Sequence, residues 1–379
     1  MALTSPQIQE LLAEKAPFSQ QGDLSEGPIL LPASAVKCES IDWLWNGWLA
    51  RRKLHLLAGS PGNGKTTIAL NIASIISRGG TWPDGERANR GQVVIWSGED
   101  GVADTLSPRL RAAGADVENI SFITSTRENG EVRPFDPSAD MSSLQAKLAQ
   151  ISNLKLLILD PIVSAVQGDS HKNAEVRRGL QPLVDLAIVN DCAVLGITHF
   201  SKGTGGRNPV ERLTGSLAFG AVARIVWVAA KGEGTEDSEE RIFCRAKSNI
   251  GPDSGGFKYQ LKHIQIEGSE DLEASAIAWG EPIQGSARDL LAITETEFED
   301  GSALSEAKEF LLGLLGDGPL PAKAIHKESN EAGHAWATIK RASKLLGVLS
   351  AKAKGSMTGG WEWSLPRSCS RGSEDAQPF

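Results

Sequence analysis

The chain has a single tyrosine, three methionines and only four cysteines in 379 residues. Cys38, Cys192, Cys244 and Cys369 lie far apart, with no Cys-x-x-Cys pair and no histidine at ligand spacing. That excludes a disulfide framework and a zinc site. No run of about 18 apolar residues exists, and the longest candidate, Leu217–Ala230, is interrupted by Arg224. The N-terminus has no basic segment leading into an apolar one. The expectation is a reduced, cytoplasmic protein with no membrane partner. Net charge is −8, which excludes a surface coated in lysine and arginine for bulk nucleic-acid binding. A local basic face is still compatible with it, because binding follows local potential.

What is present is a globular composition, 40% hydrophobic and 23% charged, able to bury a real core. Forty glycines imply many tight loops. The aromatic balance is unusual: ten Trp and ten Phe stand against the one Tyr. The length suggests two domains, or one with an appendage.

Residues 1–35 read as an N-capped amphipathic helix (4–16) and a Gly/Pro/Ser-rich linker. From 36 to 266, short apolar runs alternate with helical segments: Leu54–Ala58, Val93–Ser97, Ile120–Thr124, Leu156–Asp160, Ala193–Thr198, Ile225–Ala229 and Arg241–Lys247. Such alternation predicts an α/β fold, a doubly wound and mainly parallel sheet with helices on both faces. The later strands are candidates for an antiparallel extension. Residues 267–300 carry ten acidic residues against Arg288 alone and read as an acidic linker. Residues 301–367 then read as three short helices and a two-stranded ribbon, the plan of a winged helix-turn-helix. Trp336, Trp361 and Trp363 are expected in its core. Between Lys323 and Lys354 seven basic residues face two acidic ones. Residues 368–379 read as a disordered tail.

The most specific string is Gly59-Ser60-Pro61-Gly62-Asn63-Gly64-Lys65-Thr66, followed by Thr67. It sits between an apolar strand (KLHLLA) and a helix (TTIALNIASIISRG), the context that a P-loop requires. Glycines let successive backbone N–H groups cradle phosphate oxygens, and the helix N-terminus adds positive potential. Lys65 would reach the β- and γ-phosphates of ATP, and the Thr66 hydroxyl would ligate Mg²⁺. The strand KLLILDP delivers Asp160 at its C-terminal edge as the second metal-holding group. Pro161 follows it, so no water-polarising Glu is adjacent. The strand VVIWSGED ends in Glu99-Asp100, and Glu99 is the candidate for orienting the attacking water.

With Glu99 after the P-loop helix, Asp160, and His199 in AVLGITHFSKG, the chain resembles the RecA-like ATPases, and among them the plasmid RepA-type hexameric replicative helicases. The segments RLTGSLAFGAVARIVWV and RAKSNIG are similar to the family's later elements. The resemblance covers about residues 36–262. It implies a homo-oligomer, as a hexameric ring, that binds ATP and Mg²⁺ between subunits. Glu99 is then the catalytic base, and His199 a sensor of the γ-phosphate. The loop after His199 would carry Lys202 and Arg207 to single-stranded DNA. Lys247 would reach the neighbouring site. The Lys-x-Arg pair of many ring helicases reads Lys247-Ser248-Asn249 here, so Arg212 is the first substitute for an arginine finger, then Arg224 and Arg245. Lys340, Arg341 and Lys344 on the third C-terminal helix would meet duplex DNA, or that module would dock an initiator or a primase. The implied function is a DNA helicase or translocase in replication of a plasmid, phage or related element. An ATP-switched DNA-binding regulator and a filament-forming recombinase-like ATPase are the alternatives.

Overall fold

A computed structural model describes residues 32–201, 204, 207–213, 217–231, 240–266, 272–316, 318–352 and 361–366. The expected N-terminal helix (4–16), Lys202 and the tail 368–379 lie outside the described residues. The chain divides into two compact units, Met1–Leu291 and Ala292–Phe379.

The first unit is built on a nine-stranded sheet. A small hairpin, β1 (Trp43–Trp45) and β2 (Leu49–Ala50), precedes β3 (Leu54–Ala58). Then come β4 (Gln92–Ser97) and β5 (Ile120–Phe122). A second hairpin, β6 (Ser125–Glu128) and β7 (Glu131–Pro134), leads to β8 (Leu154–Asp160), β9 (Ala193–Ile197) and β10 (Ile225–Lys231). The chain then runs on through β11 (Arg241–Ser248), β12 (Gly256–Gln265) and β13 (Glu273–Ile283). Spatial order is β13-β12-β11-β10-β3-β9-β8-β4-β5. The strands from β10 to β5 pair in parallel. From β10 to β13 the pairing is antiparallel. Strands β3 and β9 are buried along their whole length, because apolar runs such as LHLLA and AVLGI are covered on both faces. This is the RecA-like α/β fold.

Helix α1 (Lys65–Arg78) starts after Gly64 and stops at Gly79, whose N–H bonds back to Ile75 and Ile76. With α2 (Ser107–Ala112) it covers one sheet face. Helices α3 (Met141–Leu148), α4 (Asn173–Val189) and α5 (Ala218–Val222) contribute to the core on the other. The tryptophan excess has a location: Trp45 stacks on Trp48 and Trp82, each at 4.9 Å, and on Phe243 at 6.2 Å. Trp227 and Trp279 meet Phe243 edge-on.

The acidic stretch 267–300 departs from the linker expected there. Its described part holds strand β13 and the beginning of helix α6 (Ala287–Leu315). The strand is buried through small residues, Ala274 and Ala276, while Glu273 and Glu281 stay exposed near its two ends. Alanine carries little strand signal, so the acidic residues dominate the composition. In the second unit, the C-terminal part of α6 is followed by β14 (Leu320–Pro321), α7 (Ala322–Glu331), α8 (Trp336–Leu345), β15 (Leu349–Lys352) and β16 (Trp361–Ser364). The strands form a sheet in the order β14-β16-β15. Ala307, Leu311, Leu315, Ile325, Ile339 and Ala342 make its core.

Candidate nucleotide site

The adjacent strands β3, β9, β8 and β4 each deliver chemistry at a C-terminal end. Strand β3 runs into the Gly59–Thr66 loop. Gly59 has φ +152, and a Cβ there would lie 2.2 Å from the Ala229 carbonyl oxygen, so the loop can pass β10 this closely only as glycine. Gly64, at φ +72, turns the chain into α1, and a Cβ on it would strike Leu261 at 2.7 Å.

The loop is gripped from the antiparallel side of the sheet. The Asn63 amide donates to the Ala229 carbonyl at 3.0 Å, and the Tyr259 hydroxyl donates to the Asn63 carbonyl at 2.5 Å. Further along α1, the Trp279 indole N–H donates to Asn71 Oδ1 at 2.8 Å, and Thr67 Oγ1 lies 3.5 Å from Ser275 Oγ. Strands β12 and β13 therefore hold the loop and its helix from outside the parallel sheet.

Lys65 is buried, and its Nζ donates to the Ser60 carbonyl at 3.0 Å. Burial lowers its pKa, while the Asp160 and Glu99 charges raise it. The Thr66 hydroxyl donates to Asp160 Oδ2 at 2.7 Å. Burial pushes the Asp160 carboxyl up to about 6, against the Thr66 hydrogen bond and with the help of the Glu99 and Asp100 charges. Strands β4 and β8 are in register at Ser97 and Asp160, and Gly98 N–H donates to the Asp160 carbonyl at 2.8 Å. That fixes the start of the Gly98–Asp100 turn, whose Glu99 and Asp100 N–H groups both donate to Ser97 Oγ. Glu99 Oε1 lies 3.8 Å from His199 Nε2. Burial and the Lys65 charge lower the His199 pKa, favouring the neutral ring.

These groups line one cleft of about 320 Å³, with Pro61, Gly62, Gly64, Thr67 and Ile197. Hydroxyl and carboxylate oxygens at hydrogen-bond distance are the hard-oxygen donors that Mg²⁺ takes, so Thr66 and Asp160 fit that ion. Three further residues line the cleft that sequence reasoning missed: Arg109, Leu261 and Ser275. Arg109 pairs with Asp100 at 3.0 Å. Its six-residue helix carries no distinguishing signal, and Leu261 and Ser275 sit on strands that the apolar pattern did not mark.

Arg212 and Lys247 do not line this cleft. Arg212 is buried, its guanidinium 4.3 Å from the Phe200 ring centre. Lys247 Nζ donates to the Gly220 and Ala223 carbonyls at 2.6 and 2.8 Å, closing the C-terminal end of α5. Of the other finger candidates, Arg245 covers the Trp48 ring at 4.1 Å and donates to the Gly47 and Ser254 carbonyls. Beyond His199, Phe200 bridges to Leu213 and Ser201 N–H donates to the Arg212 carbonyl, so the loop between them is closed at its base. Arg207, in that loop, is exposed.

Fold and cleft together combine a RecA-like α/β sheet with a P-loop nucleotide cleft. A family model described as an AAA domain matches residues 31–205. DNA repair protein RadA of Helicobacter pylori is 25% identical over 292 residues, covering 75% of this chain and 58% of the relative. The RadA protein of Streptococcus pneumoniae is 25% identical over 186 residues, 48% of this chain and 39% of the relative. DNA repair protein RAD51 homolog 4 of Mus musculus is 25% identical over 224 residues, 55% of this chain and 64% of the relative. The chain thus spans about half the length of these relatives.

Proposed function

We propose that the protein hydrolyses ATP to move along or unwind DNA, as a helicase or translocase of the RepA type working as a homo-oligomeric ring. The observation that carries this reading is the convergence of Lys65, Thr66, Glu99, Asp160 and His199 on one cleft. Gly59 to Thr67 would cradle the phosphates, with Lys65 on the β- and γ-oxygens. Thr66 and Asp160 would hold Mg²⁺, whose charge offsets that developing on the phosphate oxygens. Glu99 accepts a hydrogen bond from the water that attacks the γ-phosphorus in line. The neutral His199 ring, beside Glu99, senses whether the γ-phosphate is present and passes that to the loop bearing Lys202 and Arg207. Those two residues follow the phosphates of a single strand. Lys340, Arg341 and Lys344 on α8, all exposed, offer a second, winged-helix-like contact for duplex DNA, an initiator or a primase.

A recombination-type ATPase is the second reading, favoured by the similarity to proteins named for DNA repair. Ring and filament use one interface with different closure.

The test is ATP hydrolysis with and without single-stranded DNA, with Lys65→Ala protein as the blank, followed by unwinding of a forked duplex. Strong stimulation with unwinding supports the helicase. Stimulation without unwinding, together with strand pairing, supports the recombination reading. Slow hydrolysis indifferent to DNA overturns both.

A further inference from the structure

The small C-terminal unit holds three tryptophans, and sequence reasoning packs all of them inside. Trp336 and Trp363 do pack: their rings stack at 5.5 Å and 14°, with His326 edge-on to Trp336 at 4.5 Å. Trp361 departs from the expectation, with 55% of its surface exposed. Side chains two apart on a strand share a face. Trp361 therefore leaves β16 on the side where Trp363 meets Trp336 of α8, as the exposed continuation of an aromatic row.

Cations border this row. The cross-strand partner of Trp361 is Lys352, which is exposed. Lys340 places its Nζ 5.9 Å from the Trp336 ring centre, and Arg341 and Lys344 are exposed on the same helix. No acidic residue interrupts α8, and Glu362 falls on the opposite face of β16 by alternation. A protein-docking face would surround its exposed indole with apolar side chains, with charge kept to the rim. A flat π surface edged by ammonium groups matches an unpaired base on its phosphate backbone.

We infer that the C-terminal unit is a single-stranded DNA site, in which a base stacks on Trp361 while Lys352, Lys340 and Lys344 hold the adjoining phosphates. The inference rests on the DNA-acting reading above and makes its contact at α8 a single-stranded one, in place of duplex DNA, an initiator or a primase. Stacking is indifferent to base identity, so the site is sequence-tolerant.

The experiment uses the full chain and a fluorescein-labelled oligothymidylate, read by anisotropy for wild type, Trp361→Ala and Trp361→Phe. The alanine variant should bind about 5- to 150-fold more weakly, the usual range for losing one stacked base, and the phenylalanine variant should recover most of the loss. A strand of equal length built from abasic sites should bind wild type and Trp361→Ala alike. A 5-iodouracil strand should photo-crosslink to Trp361. Equal oligothymidylate binding by wild type and Trp361→Ala overturns the inference. So does an equal loss on abasic or duplex DNA, which would make Trp361 structural or a groove wedge. Wild-type hydrolysis that single-stranded DNA stimulates, alongside an indifferent Trp361→Ala, leaves the DNA-acting reading standing and removes only the stacking site. A wild type that neither binds the strand nor responds to it removes both.

Discussion

The hydroxyl of Tyr259, the chain's one tyrosine, donates at 2.5 Å to the backbone carbonyl of Asn63, in the middle of the phosphate-loop string. Both residues are buried. Tyr259→Phe leaves the Asn63 carbonyl without this donor, at a cost of about 1–3 kcal/mol. The expected outcome is a lower melting temperature together with several-fold weaker nucleotide binding, read by thermal unfolding and by titration with a fluorescent ATP analogue. A stability loss with unchanged affinity would mean that the loop keeps its shape unaided.

Glu99→Gln should retain nucleotide binding and lose hydrolysis by roughly two orders of magnitude or more, the usual contribution of a positioned base. Single-turnover assays separate the two steps. Normal hydrolysis in this variant would move the base to Asp100, the neighbouring carboxylate in the cleft.

Two buried groups oppose each other in the acid stability profile. His55 accepts from the Ala50 N–H through Nε2 at 3.1 Å, and burial lowers its pKa to about 4. Its neutral form is the folded one, so its contribution is present above the unfolded value near 6.5 and is lost as pH falls from there toward 4. Asp160 works the other way: its folded pKa of about 6 exceeds the unfolded value of 3.8, so stability falls as pH rises from about 4 to 6. In chelator-treated wild type the two slopes largely cancel. Denaturant titrations of Asp160→Asn should uncover the His55 limb, with stability dropping below pH 6.5. In His55→Asn, stability should instead rise as pH falls from 6 to 4.

Lys247→Ala removes two charge-assisted hydrogen bonds from the end of α5, worth roughly 1–3 kcal/mol together, so the melting temperature should fall by a few degrees. Mixing this variant with Lys65→Ala tests whether Lys247 also serves a neighbour. If subunits share sites, mixed oligomers regain hydrolysis, because the intact loop of one meets the intact lysine of the other. Activity that never exceeds the sum of the parts would confine Lys247 to its local role.

The parallel part of the fold was legible because its central strands are continuous apolar runs, and Glu99, Asp160 and His199 each follow one of them. That is also why sequence alone could bring them to one edge. Strand β13 was hidden by its alanines and its flanking acids, and with it the partners of Thr67 and Asn71. The helices of the C-terminal unit were legible from their periodicity. Trp361 was misjudged because large aromatics normally fill small cores, and nothing in a four-residue strand tells which ring the core has room for. Arg109 and Leu261 reach the cleft through tertiary packing that no local pattern encodes.

Strand β11 bears Lys247 near its end and pairs with β12, and β12 bears Tyr259 and so the phosphate loop. In an oligomer where Lys247 reached a neighbouring nucleotide, the two sites would be joined by a few ladder hydrogen bonds and one phenol, with no flexible segment between them. Occupancy next door would then register as strain on this chain's own loop. Cooperative hydrolysis would follow from the stiffness of the sheet, and a single hydroxyl, removed at Tyr259, would be enough to make the sites independent.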